Sequence, residues 1–124
     1  MSRKRVLIVD DDPFMRQFLQ LHLESQNYES LPVGDSITAL SETQKQRPDL
    51  IILDLGLPGG GGMVFLQRLQ ALPRLRTIPV VVLSSQKRSV SEQPALDAGA
   101  AAFFQKPADP EQLLKKIREL LGES

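Results

Sequence analysis

The chain has 124 residues, 41% hydrophobic and 24% charged, the ordinary balance of one soluble globular domain with a single core. Lysine plus arginine and aspartate plus glutamate stand at 15 each, so no global field favours nucleic acid or an acidic membrane. With no cysteine and the single histidine His22, disulfides, thiolate chemistry, cysteine-held zinc and multi-histidine metal sites are excluded.

The basic start at Arg3, Lys4 and Arg5 leads into an apolar run that ends at Val9. That run is too short for a signal peptide or a membrane span, so a cytoplasmic protein is expected. Val6 to Val9 reads as a strand buried on both faces, closed by Asp10, Asp11 and Asp12. Asp12 before Pro13 reads as a helix N-cap followed by proline at the first helical position. In the helix that follows, the spacing groups Phe14, Phe18 and Leu21 on one face, with Met15 and Leu19 beside them. Weaker signals give a strand over Tyr28 to Pro32 and a helix over Ser36 to Gln46. Leu50 to Leu53 is a second buried strand, ended by Asp54, and Gly59 to Gly62 is expected to be a mobile loop. A helix over Met63 to Ala71 precedes a third apolar strand, Val80 to Leu83, ended by Ser84 and Ser85. Pro94 is tolerated only in a first turn, so the next helix is expected to start near Gln93, leaving Gln86 to Glu92 as a polar loop. A weak strand over Ala101 to Phe104, then Lys106, precedes a last helix with Leu113, Leu114, Ile117, Leu120 and Leu121 on one face.

Strand and helix alternate five times along the sequence. Such alternation predicts an α/β domain with right-handed crossovers and helices on both faces of a parallel sheet. Ligands of such sheets bind beyond the carboxyl ends of the strands, where Asp10, Asp11, Asp54, Ser84 and Lys106 all fall. Converging aspartates repel by roughly 4 kcal/mol per pair at ~4 Å and an effective dielectric near ~20. A hard divalent ion such as Mg²⁺ relieves that repulsion. A carboxylate beside such an ion can attack a phosphodonor, with a hydroxyl and an ammonium on the phosphoryl oxygens. Taken singly, each residue has a plainer reading: Asp54 as a turn aspartate, Ser84 as an ordinary serine, Lys106 before Pro107 as a surface lysine. The combination and its placement carry the functional reading.

The segments VLIVDDDPFMR, PDLIILDLGLPGGGG, IPVVVLSS and AGAAAFFQKP resemble, in order and spacing, the four signature blocks of response-regulator receiver domains. The resemblance, to chemotaxis-regulator-like modules of two-component signalling, covers nearly the whole chain. It implies a flavodoxin-like fold, a (βα)5 doubly wound five-stranded parallel sheet in the order 2-1-3-4-5, with two helices on one face and three on the other. It implies Asp54 as phosphoacceptor and Mg²⁺ held by Asp10, Asp11, Asp54 and the Gly56 carbonyl. Ser84 and Lys106 would hold the phosphoryl oxygens, Ser84 and Phe103 would act as switch residues, and the Lys106–Pro107 bond would be cis. A sensor histidine kinase or a histidine phosphotransfer protein would be the donor. A downstream protein would bind the face of the fourth helix, fifth strand and fifth helix, where Lys87, Arg88, Lys115 and Arg118 offer charge. A homodimer is compatible with this picture; direct nucleic-acid binding and membrane binding are not expected. The expectation is a single receiver domain over residues 1–124 with no output domain in this chain. It would be no enzyme beyond self-phosphorylation from small donors and autodephosphorylation.

Three departures from the family pattern stand out. Phe103 replaces a common tyrosine, so it lacks a hydroxyl and is expected inward, either as a poor reporter of phosphorylation or as plain core. Gly56 puts no side chain beside Asp54, and the glycine run lacks the acidic residue common before its last glycine. Phosphoryl lifetime is therefore expected to depend on Gly56 and Gln86. His22 reads as a surface or boundary residue. Two other functions compete. An aspartyl-phosphate phosphatase would want an acid where Gly56 stands, and a phosphorylation-independent scaffold would not need the full acidic, hydroxyl and lysine set.

Overall fold

The computed structural model describes residues 3–123; the outermost residues of the expected 1–124 domain lie outside them. Short β-branched runs flanked by charged or turn residues become β1 (Arg5–Val9), β3 (Leu50–Asp54) and β4 (Val80–Ser84). The weaker strands are β2 (Glu29–Val33) and β5 (Ala102–Gln105). All pairings are parallel, in the order β2-β1-β3-β4-β5. The connecting helices are α1 (Pro13–Ser25), α2 (Ser36–Gln46), α3 (Gly61–Ala71) and α4 (Arg88–Asp97), with α5 (Pro110–Leu120) closing the domain. The expected flavodoxin-like topology is the observed one.

The pleat sorts the core into two layers. Leu7, Val9, Ile51, Leu53 and Val82 pack with Ala39, Phe65, Leu66, Leu69 and Ala95 from α2, α3 and α4. Val6, Ile8, Leu50, Ile52 and Val81 pack with Leu19, Leu23, Leu113, Leu114 and Ile117 from α1 and α5. Each central strand is thus buried on both faces, which is why its sequence shows no polar alternation. At the edge, β2 tolerates the exposed Pro32.

Four expectations need correction. Strands β2 and β5 each begin one residue later than the sequence signals suggest. Tyr28 precedes β2 and sends its ring into the core instead. On α1, Phe14, Phe18 and Leu21 are 81%, 40% and 67% exposed, whereas Leu19 and Leu23 are buried. The stripe through Met15, Leu19 and Leu23 has equally good helical spacing, and only one stripe can face the sheet. The glycine run is not a loop throughout. Gly59 and Gly60 form a left-handed turn at φ of 66° and 70°, while Gly61 and Gly62 open α3.

The fourth correction concerns α4, which starts at Arg88 and carries Pro94 inside it. Its start is set by a tertiary partner: the Arg88 N–H donates to Gln105 Oε1 on β5 at 3.0 Å. The carbonyl that Pro94 leaves without its donor four residues on belongs to Val90, a residue that is 61% exposed. The expected cap of α1 holds: Asp12 accepts from the Phe14 N–H at 2.9 Å. The buried face of α5 runs through Leu113, Leu114 and Ile117, with Leu120 and Leu121 packed beside it.

Candidate functional site

Parallel pairing brings the carboxyl ends of β1, β3 and β4 side by side, and each ends in or next to an oxygen-bearing residue. Asp54 and Ser84 are the last residues of their strands, and Asp10 directly follows β1. Carboxylate oxygens of Asp10, Asp11 and Asp54 all lie within 4.8 Å of one another. Asp10, Asp54 and Ser84 are buried, and Asp11 faces solvent.

Local bonds fix these groups. Asp10 Oδ1 accepts from the Asp12 N–H at 2.9 Å, and the Asp10 carbonyl accepts from Arg16 Nη1 at 2.8 Å. Asp54 Oδ1 accepts from the Gly56 N–H at 2.9 Å. Ser84 Oγ accepts from the Gln86 N–H at 3.1 Å. Lys106 follows β5, and its backbone N–H donates to the Ser84 carbonyl at 2.7 Å. Its ammonium reaches back to Asp10 Oδ2 at 3.2 Å and Asp54 Oδ1 at 3.4 Å. The Lys106–Pro107 bond is cis.

One ammonium thus pairs with two buried carboxylates, and the exposed carboxylate of Asp11 lies beside them. Burial is the main reason the Asp10 carboxyl is pushed above its ordinary 3.8, and the charge of Asp54 adds to it. The Asp12 N–H and Lys106 act against that shift without cancelling it. A surplus of buried negative charge held on hard oxygen donors is the environment a divalent cation stabilises. The Asp10, Asp11 and Asp54 set fits such an ion.

Glycines keep this edge open. A Cβ on Gly56 would lie 3.2 Å from Asp54 Oδ1, so any side chain there is rooted over the carboxylate. A Cβ on Gly62 would meet the Asp54 carbonyl at 2.7 Å and Leu55 Cα at 2.8 Å, closer than real Cβ atoms come. The sequence reading missed Gly62 as a contact residue.

Phe103 is buried at 5% exposure, inward as both readings of it expected. Arg88 covers it, with the guanidinium carbon 5.7 Å from the ring centroid and Nη2 3.4 Å from the Phe103 carbonyl. Sequence reasoning offered Arg88 only as surface charge, and no local signal links it to a residue so distant in sequence. His22 is a boundary residue, its ring edge-on to Phe18 at 4.5 Å.

Comparison with known proteins agrees with this geometry. Residues 6–118 match the family model described as response regulator receiver domain. The DNA-binding response regulator MtrA of Mycolicibacterium smegmatis is 34% identical over 119 residues, spanning 96% of this chain and 51% of that protein. The phosphate regulon transcriptional regulatory protein PhoB of Escherichia coli is 30% identical over 118 residues, spanning 95% and 52%. The chain therefore spans about half the length of the curated relatives it matches. Among solved structures, a CheY-like response regulator receiver domain protein from Methanospirillum hungatei superposes with a TM-score of 0.89 at 29% identity, covering 98% of this chain and 95% of that one.

Proposed function

The chain belongs to the response regulator receiver domain family of two-component signalling, and from that premise we propose that Asp54 is its phosphoacceptor. The observation that carries this reading is the ammonium of Lys106 between the buried carboxylates of Asp10 and Asp54, with Asp11 completing the acidic set.

A carboxylate oxygen of Asp54 attacks the phosphorus of a phosphohistidine on a sensor kinase or a phosphotransfer protein. The phosphorus–nitrogen bond breaks and the imidazole leaves with its electron pair. Asp10, Asp11, Asp54 and the Gly56 carbonyl are the proposed Mg²⁺ ligands; when bound, the ion offsets charge on the carboxylates and on the incoming phosphoryl oxygens. Lys106 already pairs with Asp54 and stays within reach of a phosphoryl oxygen added there. Ser84 Oγ acts as an acceptor toward Gln86, which leaves its own proton available for a second phosphoryl oxygen. The site therefore stabilises the modified carboxylate through residues anchored on three different strand ends.

Moving a two-state population from about 1:99 to about 99:1 needs roughly 5.5 kcal/mol of differential stabilisation, a scale that several charge-assisted bonds supply together. The proposed output face is α4, β5 and α5, where Lys87 is exposed and the Arg88 guanidinium lies between Glu92 and Phe103; Lys115 and Arg118, expected on this face, instead line a cleft with Gln26 at the end of α1. The exposed Phe14 and Phe18, on the helix that starts beside Asp11, suit the approach of the donor. The proposed chemistry of this chain is limited to accepting the group from protein or small donors and losing it to water. No described helix is long and apolar enough to cross a membrane.

The test is intact mass after incubation with Mg²⁺ and a small acyl phosphate. Wild type is expected to gain one phosphoryl group and Asp54→Asn none. Sustained turnover of a small phosphate ester would point to a phosphatase instead. A wild type inert to every donor would point to a scaffold that binds without phosphorylation.

A further inference from the structure

One side-chain bond at the rim of the site has no part in the chemistry above. Gln86 lies two residues beyond Ser84, and its backbone N–H is committed to Ser84 Oγ. Its side chain is held separately by α4: the Ser91 hydroxyl donates to Gln86 Oε1. Ser91 is 5% exposed and shares the inner face of α4 with Ala95. A serine hydroxyl inside a helix commonly bonds the carbonyl four residues earlier. Here it reaches across to an otherwise exposed glutamine.

The space around this pair matters. Gln86 and Ser91 line a cavity of about 240 Å³ together with Leu55, Met63, Val90 and Pro94. Leu55 directly follows the acceptor Asp54, and Gly56 contributes no side chain beside that carboxylate. A glutamine released from Ser91 has open volume next to it and nothing at position 56 to block its approach.

We propose that Ser91 is a positioning residue that parks the Gln86 amide on α4 and so slows loss of the phosphoryl group from Asp54. The inference rests on Asp54 being the phosphoacceptor. In that loss, a water oxygen attacks phosphorus and the bond from phosphorus to the Asp54 oxygen breaks. The electron pair returns to the carboxylate, inorganic phosphate departs, and the water's protons pass to phosphate and solvent. A free glutamine amide both accepts and donates hydrogen bonds, so it can hold that water in line while contacting a phosphoryl oxygen. Held by Ser91, it does neither.

Wild type, S91A, S91T, Q86A and the S91A/Q86A double variant are phosphorylated with a small acyl phosphate, and decay is followed by intact mass. S91A is expected to lose the group about threefold faster or more, S91T to decay like wild type, and the S91A change to have no effect once Gln86 is alanine. S91C keeps the buried volume with a much weaker donor and is expected to follow S91A, which provides a second route if the alanine variant does not fold. Wild-type decay in both S91A and S91C, or the same acceleration in the Q86A background, would overturn the inference. A wild-type chain that never gains the group would instead overturn the phosphoacceptor reading itself.

Discussion

At the scale of single residues, the site is a problem of charge placement. Asp10 is almost fully buried, and its carboxyl binds a proton more readily in the folded chain than the ordinary value of 3.8 would allow. A carboxyl shifted in that direction gives its favourable contribution in acid and costs stability once it is ionised near neutrality. Lys106 offsets part of that cost, and a divalent cation would offset more. Mg²⁺ is therefore expected to raise the thermal midpoint of wild type at neutral pH, with the rise shrinking as pH falls and Asp10 takes up its proton. Asp10→Asn should remove most of the Mg²⁺-dependent rise; thermal melts with and without Mg²⁺ across pH measure both, and an undiminished rise would count against Asp10 as a ligand. The positions of Asp10, Asp11, Asp54, Ser84 and Lys106 were legible in the sequence because each ends or follows a strand, and parallel strands end together. Ser91, Gln105 and Arg88 were not legible as contact residues, because their bonds depend on how α4 is rotated against β5 and the loop before it.

At the scale of elements, the sequence signals sufficed where burial and propensity agreed. The start of α2 follows from the Asp35 cap, whose Oδ1 accepts from the Thr38 N–H at 2.7 Å, its end from the left-handed Arg47 at φ 47°, and the expected span coincides with the observed one. They misled where two answers had equal local merit, as with the competing stripes of α1, or where a distant group decided, as Gln105 does for the start of α4. The opening of α3 shows how closely an element and the site depend on each other. Gly62 presses against the Asp54 carbonyl and the Leu55 backbone, neither of which can swing aside. Gly62→Ala is expected to destabilise the fold by about 1–3 kcal/mol and to slow phosphorylation of Asp54 by shifting β3 against α3. Gly60→Ala meets nothing within 4 Å. It should cost only the left-handed backbone strain, about 1–2 kcal/mol, with the strand end undisturbed. Denaturant melts paired with phosphorylation rates separate the two, and equal loss of rate in both variants would contradict the packing argument.

At the scale of the whole molecule, two core layers share one sheet, and the end of the chain is tied to its opposite edge. Tyr28, the single tyrosine, lies just before the edge strand β2 and donates its hydroxyl to Glu123 Oε1 at 2.6 Å. Burial first, then the bond to Glu123 and its negative charge, push the Tyr28 hydroxyl from 10.0 up to about 12, while Arg118 opposes the shift. The folded hydroxyl resists ionisation more than the unfolded one. This tie therefore contributes stability that is whole below pH 10 and is lost as pH rises through about 12. Ultraviolet titration of the lone tyrosine is expected to show a native midpoint near 12, and Glu123→Gln should lower it while burial keeps it above 10. A wild-type midpoint at the ordinary value would refute the contact. The wide sequence separation of the site's parts has a consequence for synthesis. Asp54, the proposed acceptor, leaves the ribosome with β3, yet Ser84 arrives a whole βα unit later and Lys106 only after β5. A nascent chain thus exposes its acidic residues long before it owns the ammonium that balances them. Phosphoryl acceptance should appear late and abruptly during translation, so a labelled phosphodonor would report completion of the sheet rather than emergence of Asp54.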